Sequence, residues 1–147
     1  MNIKQITVFI EDVPGTLDAL ITALRDKNIH IRAFTAVDMG GMTIVRLLVD
    51  NIMWTAAALR EAGKPSTFTE VIVAEIEGGE VGLVKLLDVL KAANINIRHV
   101  YPVMTENPAL YGHKTHMVFE VQDNAKAMEI LVQNGVKVLT QEELAAL

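Results

Sequence analysis

Two stretches of this 147-residue chain carry residues whose types and spacing suit ligand chemistry. The first is Glu11-Asp12-Val13-Pro14-Gly15, a Pro-Gly turn leading into a run of helix-spaced leucines. A helix start presents unpaired N–H groups and the positive end of the helix dipole, so a carboxylate is favoured there. Asp12 beside it offers a place for an ammonium group. The two demands together describe a free amino acid. The same residues also make a strand-to-helix turn with nothing bound, which on physical grounds alone is the commoner case. The second stretch is Asn28-Ile29-His30-Ile31-Arg32, which returns 66 residues later as Asn94-Ile95-Asn96-Ile97-Arg98. The two copies of that stretch differ at one position, His30 against Asn96.

The repetition extends through the chain. Leu17, Leu20, Ile21 and Leu24 recur at the same spacing as Leu83, Leu86, Leu87 and Leu90. Further on the spacing becomes 72, with Val49, Leu59 and Gly63 answered by Val121, Leu131 and Gly135. Two copies of one small unit follow, with extra residues in the second. They are expected to span residues 1–69 and 70–147.

The elements that must position these residues can be read from periodicity. Residues 3–10 alternate as a strand, with Ile6, Val8 and Ile10 on one face. Thr16 is placed to cap a helix whose leucine stripe runs from Leu17 to Leu24. Residues 29–37 are extended, with Ile29, Ile31 and Ala33 on one face, and Met39-Gly40-Gly41 forms a hairpin turn. Residues 42–49 make a strand. A helix capped by Asp50 or Asn51 then runs to Ala62 and stops at Gly63. Residues 67–72 make a fourth strand.

The second copy repeats this order. It reads as a strand at 71–76, continuing or closely following the one before, and a turn at Gly78-Gly79-Glu80. A helix at 82–93 and a strand at 95–105 come next, then a loop at 106–112 with Asn107-Pro108 as its turn. A strand at 113–121, a helix at 124–134, a strand at 136–139 and a short tail complete it. The order is βαββαβ twice. It predicts an α+β fold of two ferredoxin-like units, each an antiparallel sheet with its helices on one face. The open face would carry His30, Arg32 and Phe34 in the first copy and Asn96, Arg98 and Val100 in the second. Two units side by side would give eight strands.

Composition narrows the function. Hydrophobic residues make up 51% of the chain, so part of the apolar surface is expected to close against a sister copy or a second chain, most simply as a homodimer. A lone unit of roughly 70 residues buries a modest core and needs such support. The net charge of −5 and the lack of a basic tract argue against nucleic-acid binding. With no cysteine, thiolate metal sites, disulfides and thiol nucleophiles are excluded. No apolar run reaches the length of a membrane span, so a cytoplasmic protein that does not engage membranes is expected.

The remaining polar residues give no enzyme. There is no serine-histidine-aspartate arrangement, and Gly78, Gly79 and Gly82 lack the lysine and hydroxyl of a phosphate loop. His113 and His116 lie three apart on a predicted strand and point to opposite faces, so neither a metal nor a cofactor is expected. Arg32 and Arg98, at equal positions, read either as anion contacts or as solvated charges and interface ion pairs.

The pattern Asp12-x-Pro14-Gly15-x-Leu17, followed by Asn28-Ile29-His30-Ile31, resembles the ACT domain. Over its full length, both copies included, the chain is similar to small stand-alone proteins of two ACT domains in tandem. The resemblance implies a non-catalytic regulatory module that binds a small ligand, most often an amino acid, between neighbouring units. It implies contacts from Asp12, Val13, Pro14, Gly15 and His30, and from Asn96 in the second copy. The second loop, Gly78-Gly79-Glu80-Val81-Gly82, departs from the pattern by lacking Asp and Pro, although its glycines still allow backbone N–H contacts. Asymmetric use of the two copies is therefore expected. A different class of function also fits: a regulatory subunit that docks onto a biosynthetic enzyme and binds no metabolite itself.

Overall fold

A computed structural model describes residues 2–106 and 111–147. It divides into two compact units, Lys4–Thr69 and Glu70–Leu147, the latter joined by residues 2–3. The expected turn at Asn107-Pro108 lies outside the described residues.

In the first unit β1 (Ile3–Glu11), α1 (Thr16–Asp26), β2 (Ile31–Asp38), β3 (Met42–Val49) and α2 (Ile52–Glu61) follow the expected order. β3 is central, antiparallel to β1 on one side and β2 on the other. Alternation puts Ile6, Val8 and Ile10 of β1 on the same face as Val45, Leu47 and Val49 of β3. Leu20 and Leu24 of α1 and Leu59 of α2 close over them, which makes one buried core. Each such side chain contributes about 1.5–3 kcal/mol by leaving water.

The second unit repeats the design with α3 (Glu80–Ala92), β5 (Ile97–Pro102), β6 (Lys114–Val121) and α4 (Asn124–Gln133). β6 is its central strand, antiparallel to β4 (Ser66–Glu77) and β5. Its core joins Ile72, Ala74 and Ile76 to Phe119 and Val121, under Leu86, Leu90, Ala127 and Leu131.

Several sequence expectations change. The fourth strand of the first copy and the first of the second are one strand, β4 (Ser66–Glu77). The strand expected at 136–139 is reduced to a single bridge between Ala74 and Val138. The tail holds a short helix, α5 (Gln141–Ala145), closed by a capping box between Thr140 and Glu143. Thr16 is not the cap of α1: Gly15 holds that position and Thr16 is the first helical residue.

The largest change lies in β2 and β5. Ile31 pairs with Val49 and Ala33 with the adjacent Leu48, so Arg32 is an extra, bulged residue. Ile97 and His99 likewise pair with Val121 and Glu120, which leaves Arg98 as the bulge. One extra residue reverses every side chain beyond it. Ala33 therefore leaves the face of Ile31, and Phe34 shares the helix-side face of Leu47. Val100 in the same way shares the face of the core residue Phe119. The expected open-face sets His30, Arg32, Phe34 and Asn96, Arg98, Val100 do not form. His30 and Asn96 precede their strands, and Arg32 is buried whereas Arg98 is exposed. In the first unit the face away from the helices is buried at Ala33 and Leu48 but open near the β2–β3 turn, where Phe9 and Val37 are 44% and 43% exposed.

Candidate functional site

The loop after β1 is held by its own backbone. Asp12 N–H donates to the Gly41 carbonyl of the β2–β3 turn at 3.3 Å. The Thr16 hydroxyl donates to the carbonyls of Glu11 at 2.6 Å and Val13 at 2.8 Å, which folds the loop back over the strand end. Gly15 sits at φ +92°, a left-handed conformation that strains any residue with a Cβ. No side chain caps α1, whereas Asn51 caps α2 by accepting from Trp54 N–H at 2.9 Å. The first turn of α1 therefore faces the exposed loop without an internal carboxylate or hydroxyl acceptor.

Beside this loop stands a residue that sequence reasoning missed. Asp38, at the end of β2, hydrogen-bonds Asp12, and that bond together with its negative charge pushes the Asp12 carboxyl above its usual range. A smaller opposing effect comes from a hydrogen bond with Thr43. Two carboxylates that repel each other are relieved by a proton or an arriving cation. The signal for Asp38 was present in the sequence: it precedes the hairpin glycines that bring β2 back toward the end of β1.

His30 is elsewhere. β3 runs from Met42, opposite Glu11, to Val49, opposite Ile31. Its length, roughly 24 Å at a strand's rise, separates Asp12–Gly15 from His30 at the other end of the same unit. His30 is pinned there by reciprocal bonds: its N–H donates to Asp50 Oδ1 at 3.0 Å, and Asp50 N–H donates to its carbonyl at 3.0 Å.

The second unit separates its candidates in the same way. Gly78 and Gly79, at φ +82° and +63°, follow β4 and lead into α3, which also lacks a side-chain cap. Gly82 is fixed by close packing, since a Cβ there would lie 2.0 Å from the Glu77 carbonyl oxygen. Asn96 lies at the far end of β6, its carbonyl accepting from Gln122 N–H at 3.0 Å. A cleft of about 380 Å³ opens there, lined by Lys91, Asn94, Ile95, Asn96 and Gln122.

The repeated asparagines have a structural explanation that spacing alone did not reveal. Asn28 and Asn94 take φ +60° and +59° just past the first helix of each unit. Ile29 N–H reaches the Leu24 carbonyl at 3.0 Å, and Ile95 N–H reaches Leu90 at 3.0 Å. This is the paired closure that ends a helix on a left-handed residue, for which asparagine substitutes for glycine. A further cluster lies on β4 and β6. His116, 2% exposed, has Nε2 at 3.1 Å from Glu75 Oε2, and Lys114 Nζ lies at 3.2 Å from Oε1. Burial would raise the Glu75 carboxyl, but the two hydrogen bonds and charges outweigh it and hold it below its usual range. His113 lies in a turn before β6 and is exposed. Among the described residues no three histidine, aspartate or glutamate side chains gather as a metal site would require. No helix among them is long and apolar enough to cross a membrane.

The family model described as an ACT domain pair matches residues 1–147. The chain belongs to that family. No curated protein sequence matches it. Among solved structures, a protein from Bacteroides thetaiotaomicron superimposes with a TM-score of 0.89 at 23% identity, covering 100% of this chain and 98% of its own. The ligand-free regulatory subunit of aspartate kinase from Thermus thermophilus gives a TM-score of 0.64 at 16% identity, covering 90% and 93%. The corresponding Thermus flavus subunit gives 0.61 at 14% identity, covering 90% and 92%. At these identities the superpositions show the shared fold. An ACT domain pair is a regulatory module, and this one carries its two uncapped helix starts after β1 and β4, each behind a left-handed glycine.

Proposed function

We propose that this ACT domain pair is a non-catalytic sensor of a small amino acid or a related metabolite. The observation that carries the reading is the end of the first unit where Asp12 and Asp38 meet beside the uncapped start of α1. One place offers anions for an ammonium group and N–H donors for a carboxylate. Gly15 keeps that approach open, and Val13 and Pro14 shape its exposed wall.

His30 and Asn96 each lie a full strand length from the loop of their own unit, so in this reading they serve the loop of another unit. The ligand therefore binds where the loop end of one unit meets the strand-start end of another, and a homodimer supplies the second set of ends. Binding tightens that contact, and an enzyme partner reads the change. The Thermus structures are named as regulatory subunits of aspartate kinase, and the same general role is taken here for a cytoplasmic protein acting on a partner of its own.

A thermal-unfolding screen of the purified protein against the common amino acids at millimolar concentration tests this. A ligand at about a hundred times its dissociation constant adds roughly 2.7 kcal/mol, several degrees for a chain of this size. A shift with one or a few chemically related amino acids is the expected result. A flat screen would overturn the sensor reading in favour of a docking subunit without a ligand, a role that the Asp-less, Pro-less loop at Gly78-Gly79 also suits.

A further inference from the structure

A groove of about 380 Å³ runs between α1 and α2 of the first unit, and neither the loop after β1 nor His30 lines it. Alanines form its sides, Ala19 and Ala23 from α1 and Ala58 and Ala62 from the end of α2. The buried Leu20, Leu24 and Leu59 give it an apolar floor. Small-molecule sites hold about 300–1,000 Å³ and combine an apolar lining with a few placed polar groups. The groove falls at the lower end of that range.

The second unit treats the same helix pair differently. Under the repeat spacings Ala23 is answered by Val89 and Ala58 by Ile130, and both larger side chains pack against the core of that unit. Ala19 is answered by Lys85. The cleft that remains between α3 and the residues after α4, about 330 Å³, is edged by the charges of Glu75, Glu77, Lys85 and Lys137. The first unit thus leaves open an apolar space that the second narrows with its own branched side chains.

The charges at the groove differ in their commitments. Lys27 Nζ lies 2.8 Å from Glu61 Oε2, so these two offset each other. Lys64 is half-buried at the groove, placed there by its own N–H, which donates to the Leu59 carbonyl at 2.9 Å and closes α2. Among the described residues its ammonium group has no ion-pair partner. The Ala58 and Arg60 carbonyls are taken by the N–H groups of Ala62 and Gly63. One uncommitted lysine balances one negative charge, which suits a carboxylate better than a phosphate group of about two charges.

We infer that the α1–α2 groove of the first unit binds a small carboxylic acid with an aliphatic body. The body covers the alanines and the leucine floor, and the carboxylate meets Lys64. This site is separate from the amino-acid reading. It calls for no ammonium group, and no residue of the loop after β1 takes part in it.

The test follows backbone amide resonances in ¹⁵N-labelled protein titrated with sodium octanoate below its micelle-forming concentration. Sodium acetate and hexanol are the controls for head and body. Octanoate is expected to shift the Ala23, Ala58 and Ala62 amides and to leave Val89, Ile130 and Asn134 unmoved, while acetate shifts neither set. Trp54, the single tryptophan, lines an adjoining cleft with Ala58 and Glu61, so its emission gives a second reading of occupancy. Ala23→Val copies the second unit at an exposed helix position and should weaken octanoate binding by about tenfold, the effect of crowding a fitted space. Lys64→Gln should weaken octanoate about fivefold and leave hexanol unchanged, the difference that one solvent-accessible ion pair can make. Both variants are checked for native amide dispersion. Octanoate binding unchanged in either variant overturns the inference, as does equal movement of the two sets of amides. Groove amides that shift on dilution of the protein alone identify a second copy as the occupant and overturn it too. Octanoate carries no ammonium group, so its response and the amino-acid screen succeed or fail separately.

Discussion

Replacing Glu75 with alanine removes the one hydrogen-bond partner that a buried imidazole, His116, has among the described residues. A carboxylate can only accept, so at neutral pH the proton between the two groups belongs to His116 Nε2, 3.1 Å from Glu75 Oε2. His116 Nδ1 is already buried without a partner among the described residues. Glu75→Ala leaves Nε2–H in the same condition, which costs about 1–3 kcal/mol. The contact of Glu75 with the half-exposed Lys114 adds under about 1 kcal/mol. Relief of the burial cost of Glu75 itself offsets part of the sum, so the net loss is about 1–3 kcal/mol. For a chain of this size that lowers Tm by roughly 3–10 °C.

Glu75→Gln keeps an acceptor facing Nε2 and should lose less than half as much. Glu77→Ala, exposed on the same strand, should change stability by less than about 0.5 kcal/mol. Urea unfolding followed by circular dichroism at pH 7 reads all three. The sign with pH is fixed as well. Glu75 titrates below its ordinary 4.5 in the folded protein, so its contribution is complete above that value and is lost as pH falls through the lower folded value. The gap between wild type and Glu75→Gln should therefore close on acidification below pH 4.5. A Glu75→Ala protein within 0.5 kcal/mol of wild type, or a glutamine variant as unstable as the alanine one, would refute the reasoning.

Gly82→Ala gains about 1 kcal/mol of helix propensity but drives a Cβ to 2.0 Å from the Glu77 carbonyl, and should be destabilised by about 2 kcal/mol net in urea titration. Gly15→Val places a β-branched residue at φ +92° and should lower stability by about 2 kcal/mol, besides weakening any amino-acid response in the thermal screen. Asn94→Val should cost about 1–2 kcal/mol while Asn94→Gly is neutral or slightly stabilising, a contrast that separates the left-handed backbone role from a ligand role. Glu61→Gln breaks an exposed 2.8 Å contact with Lys27 that solvent screens, and should leave the urea midpoint unchanged.

The duplication, the βαββαβ order and the helix-facing leucines were legible because each rests on a long periodic pattern. Leu20, Leu24, Leu86 and Leu90 are all in the cores to which their spacing assigned them. The bulges were not legible. A single extra residue at Arg32 or Arg98 changes no composition and leaves both flanking runs extended, yet it exchanges the faces of Ala33 and Phe34. The joining of two predicted strands into β4 was half visible in the apolar run from Val71 to Ile76. At the candidate site, the turn from Asp12 to Gly15 was legible because turn chemistry is local. Asp38 and the Asp50–His30 bond depend on which strand returns beside which, and only pairing reveals that. Glu75 and His116, polar residues within strands of mostly apolar neighbours, were the signals that went unread.

The extra residue at Arg32 and at Arg98 interrupts the same step of the same strand in both halves. An irregularity shared at one register is most simply inherited from a common ancestor, so the bulge predates the event that doubled the gene. That ancestor was a single module of about 70 residues, a size at which a core alone is marginal, and it would have worked as an assembly of identical copies. Once two copies were fused, either half was free to diverge while its twin kept the older arrangement. The difference between Asp50 and Gln122 is a trace of that freedom: one half now carries a carboxylate where the other carries a carboxamide.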